Sequence, residues 1–177
     1  ETTSQKFNIK TDSPEEIISS CIENQRKLLS GFGGNKKINT KKFYEAQNPK
    51  YWAISRTGDP TLYTYLSSLI KELKKRNCCT FLVTNGLRPE VLAKLELPTQ
   101  LYLYLDAPTE ILYKKIDRSL FKDSWKRLNK TLKLFPKLKT RKVIRLTLMK
   151  NINMNNLENY AKLIKIANPD FVECKAY

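Results

Sequence analysis

The sequence predicts an α/β fold built on a parallel sheet, and three observations carry that reading. Apolar runs rich in β-branched and aromatic residues recur near 51–56, 79–84, 100–106, 141–149 and 170–175 and read as strands. Stretches of helical apolar spacing lie between them, near 62–76, 88–95, 109–117, 122–135 and 155–167. Small, polar or acidic residues stand where the strands give way to loops: Gly58 and Asp59, then Thr84 and Asn85, then Asp106. Alternation at this spacing means βαβ units, right-handed crossovers and a parallel sheet. Five strands fall short of a closed eight-stranded barrel, so the sheet is open or a strand lies outside the chain.

Each element has a local reason. Thr11-Asp12-Ser13-Pro14-Glu15-Glu16 is a helix start, with a capping residue, a proline and first-turn acids. Ile17, Ile18, Cys21, Ile22, Leu28 and Leu29 then give an approximate apolar face up to Gly31. GFGGNKK at 31–37 is a loop; it lacks the Gly-Lys-Ser/Thr ending of a phosphate-binding loop and does not follow a strand. WAISRTGDPTLY, residues 52–63, runs a strand into a Gly-Asp-Pro turn with a helix just beyond. CTFLVTNG at 79–86 and QLYLYLDAP at 100–108 repeat that plan, so Asn85-Gly86 joins a strand to a helix and is not a hairpin turn. In parallel α/β folds ligands sit at the carboxyl ends of the strands, and Gly58, Asp59, Thr84, Asn85 and Asp106 are expected to line one cavity there.

The chain has 177 residues, the size of one domain with a substantial core. Its thirty-three Lys and Arg against seventeen Asp and Glu leave a net charge of +16. Such an excess repels itself in the folded state and favours a polyanionic partner, nucleic acid above all. The other source of the charge is a coding bias toward Lys and Asn, both abundant throughout. There is no histidine, and Cys21, Cys78, Cys79 and Cys174 have no paired spacing. That excludes a self-contained zinc finger and a histidine-dependent triad, and it reads as buried, reduced thiols in a cytoplasmic protein. No apolar run approaches a membrane span, and the first residues do not resemble a signal peptide. The chain starts at Glu1 rather than Met and stops within the apolar run FVECKAY, which reads as a fragment.

GDPTLY, FLVTNG, PTQLYLYLDAP, KKIDRSLFKDSWKR, RLTLMKNINM and NPDFVECKAY resemble successive blocks of one family. They are similar, in order and spacing, to the radical S-adenosylmethionine enzymes that make 4-demethylwyosine in tRNA, from about Ser13 to Tyr177. The resemblance implies a partial (β/α)6, TIM-like barrel as a single domain over 1–177, incomplete at its N-terminal side and at its C-terminus. It implies a [4Fe-4S] cluster held by a C-x-x-x-C-x-x-C loop and S-adenosyl-L-methionine as the source of a 5′-deoxyadenosyl radical. The implied substrate is N1-methylguanosine in phenylalanine tRNA, with pyruvate as carbon donor and a flavin-binding domain or flavodoxin as electron donor. The cluster cysteines belong upstream of Glu1, so no metal ligand is expected in this chain, and the fragment alone is expected to be inactive.

Carried onto this sequence, the resemblance makes Gly58, Asp59, Pro60, Thr84, Asn85, Asp106, Arg145 and Thr147 cofactor-binding residues. The family's Gly-Glu-Pro is Gly58-Asp59-Pro60 here, and the turn's backbone is expected to matter more than the acid. Tyr104 stands where the family commonly has Ser. Glu173 and Lys175, on one face of the last strand, are the catalytic candidates, and a mutual ion pair is the other reading of them. Lys122, Lys126 and Arg127 are candidate RNA contacts, and Trp125 is either a stacking residue or core. A non-catalytic, basic RNA-binding module that kept the barrel and lost the cluster is the alternative to the enzyme.

Overall fold

The computed structural model describes residues 11–55 and 58–177. Helix α1 (Pro14–Leu29) opens with a capping box: Ser13 accepts from the Glu16 amide and Glu16 returns the bond to the Ser13 amide. Helix α2 (Thr40–Ala46) follows, capped by Asn39. This helix has no periodic signal in the sequence, since Phe43 and Ala46 are its only half-buried apolar residues. Then come β1 (Tyr51–Ile54), α3 (Leu66–Lys75), β2 (Cys79–Thr84), α4 (Pro89–Leu92), β3 (Gln100–Tyr104), α5 (Glu110–Asp117), α6 (Ser124–Leu134), β4 (Arg141–Leu148), α7 (Leu157–Ala167) and β5 (Phe171–Ala176). Arg56, at the end of the expected first strand, lies outside the described residues.

All five strands are parallel and adjacent in chain order, β1-β2-β3-β4-β5. A doubly wound sheet reverses its order at a switch point and buries both faces. This sheet does neither, and one face alone carries the helices. Leu82, Leu101, Leu103, Leu105, Ile144 and Leu146 point into that layer and meet Leu66 and Ile70 of α3, Leu128 and Leu132 of α6, and Leu163 of α7. Period-two alternation sends Phe81, Tyr102, Tyr104, Arg145, Thr147 and Glu173, half-buried, to the other face, together with the buried Val83 and Val143. That is the wall of a partial barrel, as the sequence predicts.

α1 packs outside α3, with Ile18 against Leu69 and Leu73, so the expected apolar face is real but short; Leu28 is exposed. The four cysteines depart from expectation. Cys21 and Cys174 are exposed, and Cys78 and Cys79 are half-buried at the amino end of β2. β5 is an edge strand covered on neither side, which leaves Phe171 and Val172 exposed and Cys174 with them. No helix among the described residues is long and apolar enough to cross a membrane.

Candidate functional site

The first strand tip is organised by Asp59. Gly58 sits at φ +81°, with open space where a Cβ would stand, and turns the chain into the 3₁₀ turn Pro60–Leu62. Asp59 caps that turn: Oδ1 accepts from the Thr61 amide at 2.9 Å and the Thr61 hydroxyl at 2.5 Å. Oδ2 reaches across to β2, accepting from the Thr84 hydroxyl and the Asn85 amide, each at 2.8 Å. The acid is therefore the brace between two strand tips, a structural role that stands beside the backbone role expected of this turn. Thr84 is buried, with its hydroxyl donating to Asp59 and accepting from the Gly86 amide at 3.1 Å. It frames the site and presents no surface to a ligand.

Asn85 and Gly86 shape the second tip. The Asn85 side chain accepts from the Leu87 amide, and the Gly86 carbonyl accepts from the buried Thr131 hydroxyl at 2.5 Å. Gly86 has φ +73°, and a Cβ there would meet Leu103 and Thr131, so glycine is required both by conformation and by the closeness of α6.

At the third tip Asp106 is half-buried. Its Oδ1 accepts from the Thr147 amide on β4 at 2.8 Å. Burial pushes its carboxyl above the usual aspartate value, partly offset by the bonds from the Thr147 amide and hydroxyl. It caps no helix, since Thr109 is the N-cap of α5. The Asp106 carbonyl accepts from Asn153 Nδ2 at 2.8 Å and from the Tyr160 hydroxyl at 3.2 Å. Asn153 also donates to the Thr147 carbonyl at 2.8 Å and accepts from the Met149 amide at 2.6 Å. Burial, then the charges of Asp106 and Asp117, push the Tyr160 phenol up to about 12, so it stays a donor at neutral pH. Sequence reasoning missed both residues: Asn153 stands in an Asn-rich loop, and Tyr160 occupies an ordinary apolar position of α7.

Arg145 and Thr147 share the open face with Glu173 and Lys175, as period two requires. Arg145 Nε donates to Glu173 Oε2 at 2.7 Å, with its guanidinium 4.4 Å from the Tyr102 ring centre and 5.8 Å from that of Tyr104. Burial works against this charge, but Glu173 and Tyr104 more than offset it and hold the pKa above the usual arginine value. Glu173 is thus ion-paired with Arg145 and not with Lys175, which is exposed.

The tips converge on one sheet edge but do not line one cavity. Asn85, Leu87, Tyr104, Asp106, Tyr113 and Ser119 border a cleft of 120 Å³. Gly58, Asp59 and Pro60 border another, of 410 Å³, with Ser55, Tyr63 and Ile17 of α1. Thr84 lines neither. The Asp59–Asn85 hydrogen bond links residues of the two, so the expected single pocket is met as two adjoining clefts along the strand tips.

The donor set suits S-adenosylmethionine: a glycine turn open to a ligand, an amide side chain at Asn85, and a carboxylate at Asp106 with one oxygen directed by Thr147. It does not suit an iron–sulfur cluster. Cys21, Cys78, Cys79 and Cys174 are scattered over α1, β2 and β5, and among the described residues no three His, Cys, Asp or Glu gather to hold a metal.

Of the RNA candidates, Lys122 and Lys126 are exposed and Arg127 is not free. Arg127 stacks 4.4 Å from the Phe121 ring, pairs with Asp123 at 2.9 Å and Glu90 at 3.8 Å, and donates to the Leu87 carbonyl at 3.3 Å. It braces the rim of the cleft. Trp125 is half-buried against Tyr113, ring centres 5.4 Å apart, which makes it core.

Residues 38–164 match the model of the radical SAM superfamily. Over 170 residues the chain is 48% identical to the S-adenosyl-L-methionine-dependent tRNA 4-demethylwyosine synthase of Pyrococcus abyssi, covering 94% of this chain and 50% of that protein. It is 41% identical over 166 residues to the Mus musculus synthase, covering 94% of this chain and 23% of the relative. The crystal structure of an archaeal TYW1 superposes with a TM-score of 0.87 at 34% identity, covering all of this chain and 61% of that one. A TYW1 structure with a lysine-pyruvate adduct bound gives 0.86 at 35% identity, covering 94% and 55%. The chain thus spans half the length, or less, of these curated relatives.

Proposed function

The chain belongs to the radical SAM superfamily, and on that premise we propose that its strand tips hold S-adenosylmethionine in a protein that builds 4-demethylwyosine in tRNA. The observation that carries the reading is the arrangement of Asp59, Asn85 and Asp106 along one sheet edge, on a chain 48% identical to a synthase of that reaction. The relatives' names favour this enzyme over a non-catalytic RNA-binding module.

Bound S-adenosylmethionine would supply hydrogen-abstraction chemistry, and this chain's own residues bind and orient. The Gly58 carbonyl would accept from the methionine ammonium, since the Asp59 and Pro60 carbonyls already accept from the Leu62 and Tyr63 amides. Asn85 would bind the methionine carboxylate, with Thr84 holding the tip. Asp106 would accept from the ribose hydroxyls, with Thr147 orienting its carboxylate. Arg145, fixed by Glu173 and stacked on Tyr102, presents a positive edge on the open face toward substrate. Lys175 offers an amine on the same face, one strand step beyond Glu173. Lys122 and Lys126 lie on the RNA side. The substrates on this reading are phenylalanine tRNA carrying N1-methylguanosine and pyruvate, with a flavin-binding domain or flavodoxin as electron donor, in the cytoplasm. The [4Fe-4S] cluster takes its ligands from outside this chain.

The test uses the whole protein, reduced anaerobically with S-adenosylmethionine, pyruvate and methylated phenylalanine tRNA. The reading requires 5′-deoxyadenosine together with a tRNA mass gain at the methylguanosine. 5′-Deoxyadenosine with no change in the tRNA assigns another substrate, and neither product removes the enzyme.

Asp106→Asn separates binding from stability. It keeps an acceptor for the Thr147 amide but replaces the other oxygen with a donor, so S-adenosylhomocysteine affinity should fall by about 1–3 kcal/mol. Stability at pH 7 should hold or rise, because the buried charge is removed. Asp106's folded pKa lies above its unfolded one, so its destabilising effect is full above the folded pKa and fades as pH falls through it. The stability difference between variant and parent should therefore shrink on acidification. Calorimetric binding and melting between pH 4 and about pH 8 measure both, and unchanged affinity would leave Asp106 a purely structural role.

A further inference from the structure

α6 carries a row of lysines that the cleft does not use. Lys126, Lys130 and Lys133 are exposed and fall within about 60° of arc on one helix face. Lys122 leads into the row and Lys137 extends it, both exposed. From Ser124 to Leu157 the chain has ten Lys and Arg and no Asp or Glu, where its average density of acids would place about three. A coding bias toward lysine explains the lysines but not the missing acids.

On α1, α3 and α5 some lysines are neutralised by neighbours, while Lys36, Lys41 and Lys42 are exposed and, among the described residues, unpaired like the ridge, and so serve as its control. Lys27 pairs with Glu23 on α1, Lys75 with Glu72 on α3, Lys114 with Glu110 on α5, and Lys74 with Glu96. Among the described residues, no acid lies within ion-pair distance of Lys126, Lys130, Lys133 or Lys137. Asp123 and Glu90 both pair with Arg127, and of the ridge only Lys130 adds its charge to the field at Asp123.

The row has a direction. Its upper end adjoins the cleft, where Trp125 packs on the lining residue Tyr113 and Arg127 bonds the carbonyl of Leu87, another lining residue. Its lower end meets the opposite sheet edge, where α6 turns through Phe135–Lys137 toward β4. The lysines run about 10 Å from Lys126 to Lys133, at 1.5 Å rise per residue. That length is enough for its three lysines to meet successive phosphates of one nucleic-acid strand.

We propose that this ridge seats the sugar–phosphate backbone of the substrate RNA, in the part of the tRNA that leads away from the base being modified. The inference rests on tRNA being the substrate, and it extends the RNA side marked by Lys122 and Lys126 into a docking surface along the length of α6. Backbone contacts fix register without reading bases, so the ridge holds any tRNA and leaves the choice of base to the cleft.

The experiment compares two charge reversals in the whole protein, K126E/K130E/K133E on the ridge and K36E/K41E/K42E on the α1–α2 loop and α2, equal in charge change. The probe is an unmodified tRNA transcript, with binding measured across a salt series. The ridge variant should lose at least about tenfold in affinity at low salt, and its slope of log affinity against log salt should fall by about 2, from 0.7–0.9 per lost phosphate contact. K126Q/K130Q/K133Q should lose affinity in the same direction by less, and S-adenosylhomocysteine binding should not move. Equal losses in both reversals make net charge the cause and overturn the ridge, as does an affinity loss with an unchanged slope. A ridge variant that binds like the parent while the parent still modifies tRNA overturns the ridge and leaves the synthase reading intact. A ridge effect on a protein that modifies no wyosine precursor keeps the ridge and removes that reading.

Discussion

Asp59→Asn should damage the protein almost as much as Asp59→Ala, at about 3–4 kcal/mol of stability. The carboxylate accepts four hydrogen bonds, two from Thr61 and one each from the Thr84 hydroxyl and the Asn85 amide. Asparagine can keep the Thr61 pair through its remaining oxygen. Its amide nitrogen would then face the Asn85 N–H, donor against donor, and the β1–β2 brace would open. Alanine loses both halves and leaves the buried Thr84 hydroxyl without its acceptor. Asp59→Glu should keep the bonds to β2 and lose the local cap on Thr61, costing about 1 kcal/mol. Thermal melting and S-adenosylhomocysteine titration of the three variants decide the matter, at about 2–4 °C per kcal/mol for a domain of this size. Asn behaving like the parent in both would leave the brace a matter of geometry with no energetic weight.

Asp59 also marks where sequence reasoning stops. The strands were legible because period-two alternation and β-branched runs state the strand and its buried face together, as in Leu82, Leu101–Leu105 and Ile144–Leu146. The parallel topology followed from helical spacing between them. The tips were legible as positions, because Gly58, Asn85 and Asp106 stand where a strand must end. Their bonding was not, because a carboxylate that crosses to the next strand joins residues 25 and 26 apart in the chain, and no local pattern encodes that distance. The same limit divided the expected cavity in two.

Charge was the least legible property. Lys122, Lys126 and Arg127 look alike in KDSWKR, yet Lys126 projects to solvent while Arg127 turns inward onto Phe121 and the Leu87 carbonyl. The difference is one residue of helical rotation, about 100°. α2 escaped notice for a related reason: a seven-residue helix with a good Asn39 cap but almost no apolar face gives no periodic signal. Glu173 was placed on the correct face, and its partner was the cross-strand Arg145 rather than the neighbouring Lys175.

The second large effect belongs to Asn153, which is fully buried and ties together the carbonyls of Asp106 and Thr147 and the amide of Met149. Asn153→Ala removes three hydrogen bonds at once and leaves an amide and two carbonyls to find other partners in the core, a loss of about 2–4 kcal/mol. Because those carbonyls belong to the residues that set the Asp106 carboxylate, S-adenosylhomocysteine affinity should fall with stability. Asn153→Asp keeps the volume and tests the chemistry. An ionised carboxylate can still accept from Met149 but faces two carbonyls with no donor, so at neutral pH it should be at least as destabilising as alanine. Burial among carbonyls raises such a group's folded pKa above its unfolded value, so the damage is full above the folded pKa and recedes as pH falls through it. Melting the Asp variant from pH 8 down to about pH 4 should therefore recover part of the lost stability relative to the Ala variant, whose deficit has no such dependence. Parallel pH profiles for the two would mean that Asn153 acts through packing alone, and that the third strand tip is held by Tyr160 and Thr147 without it.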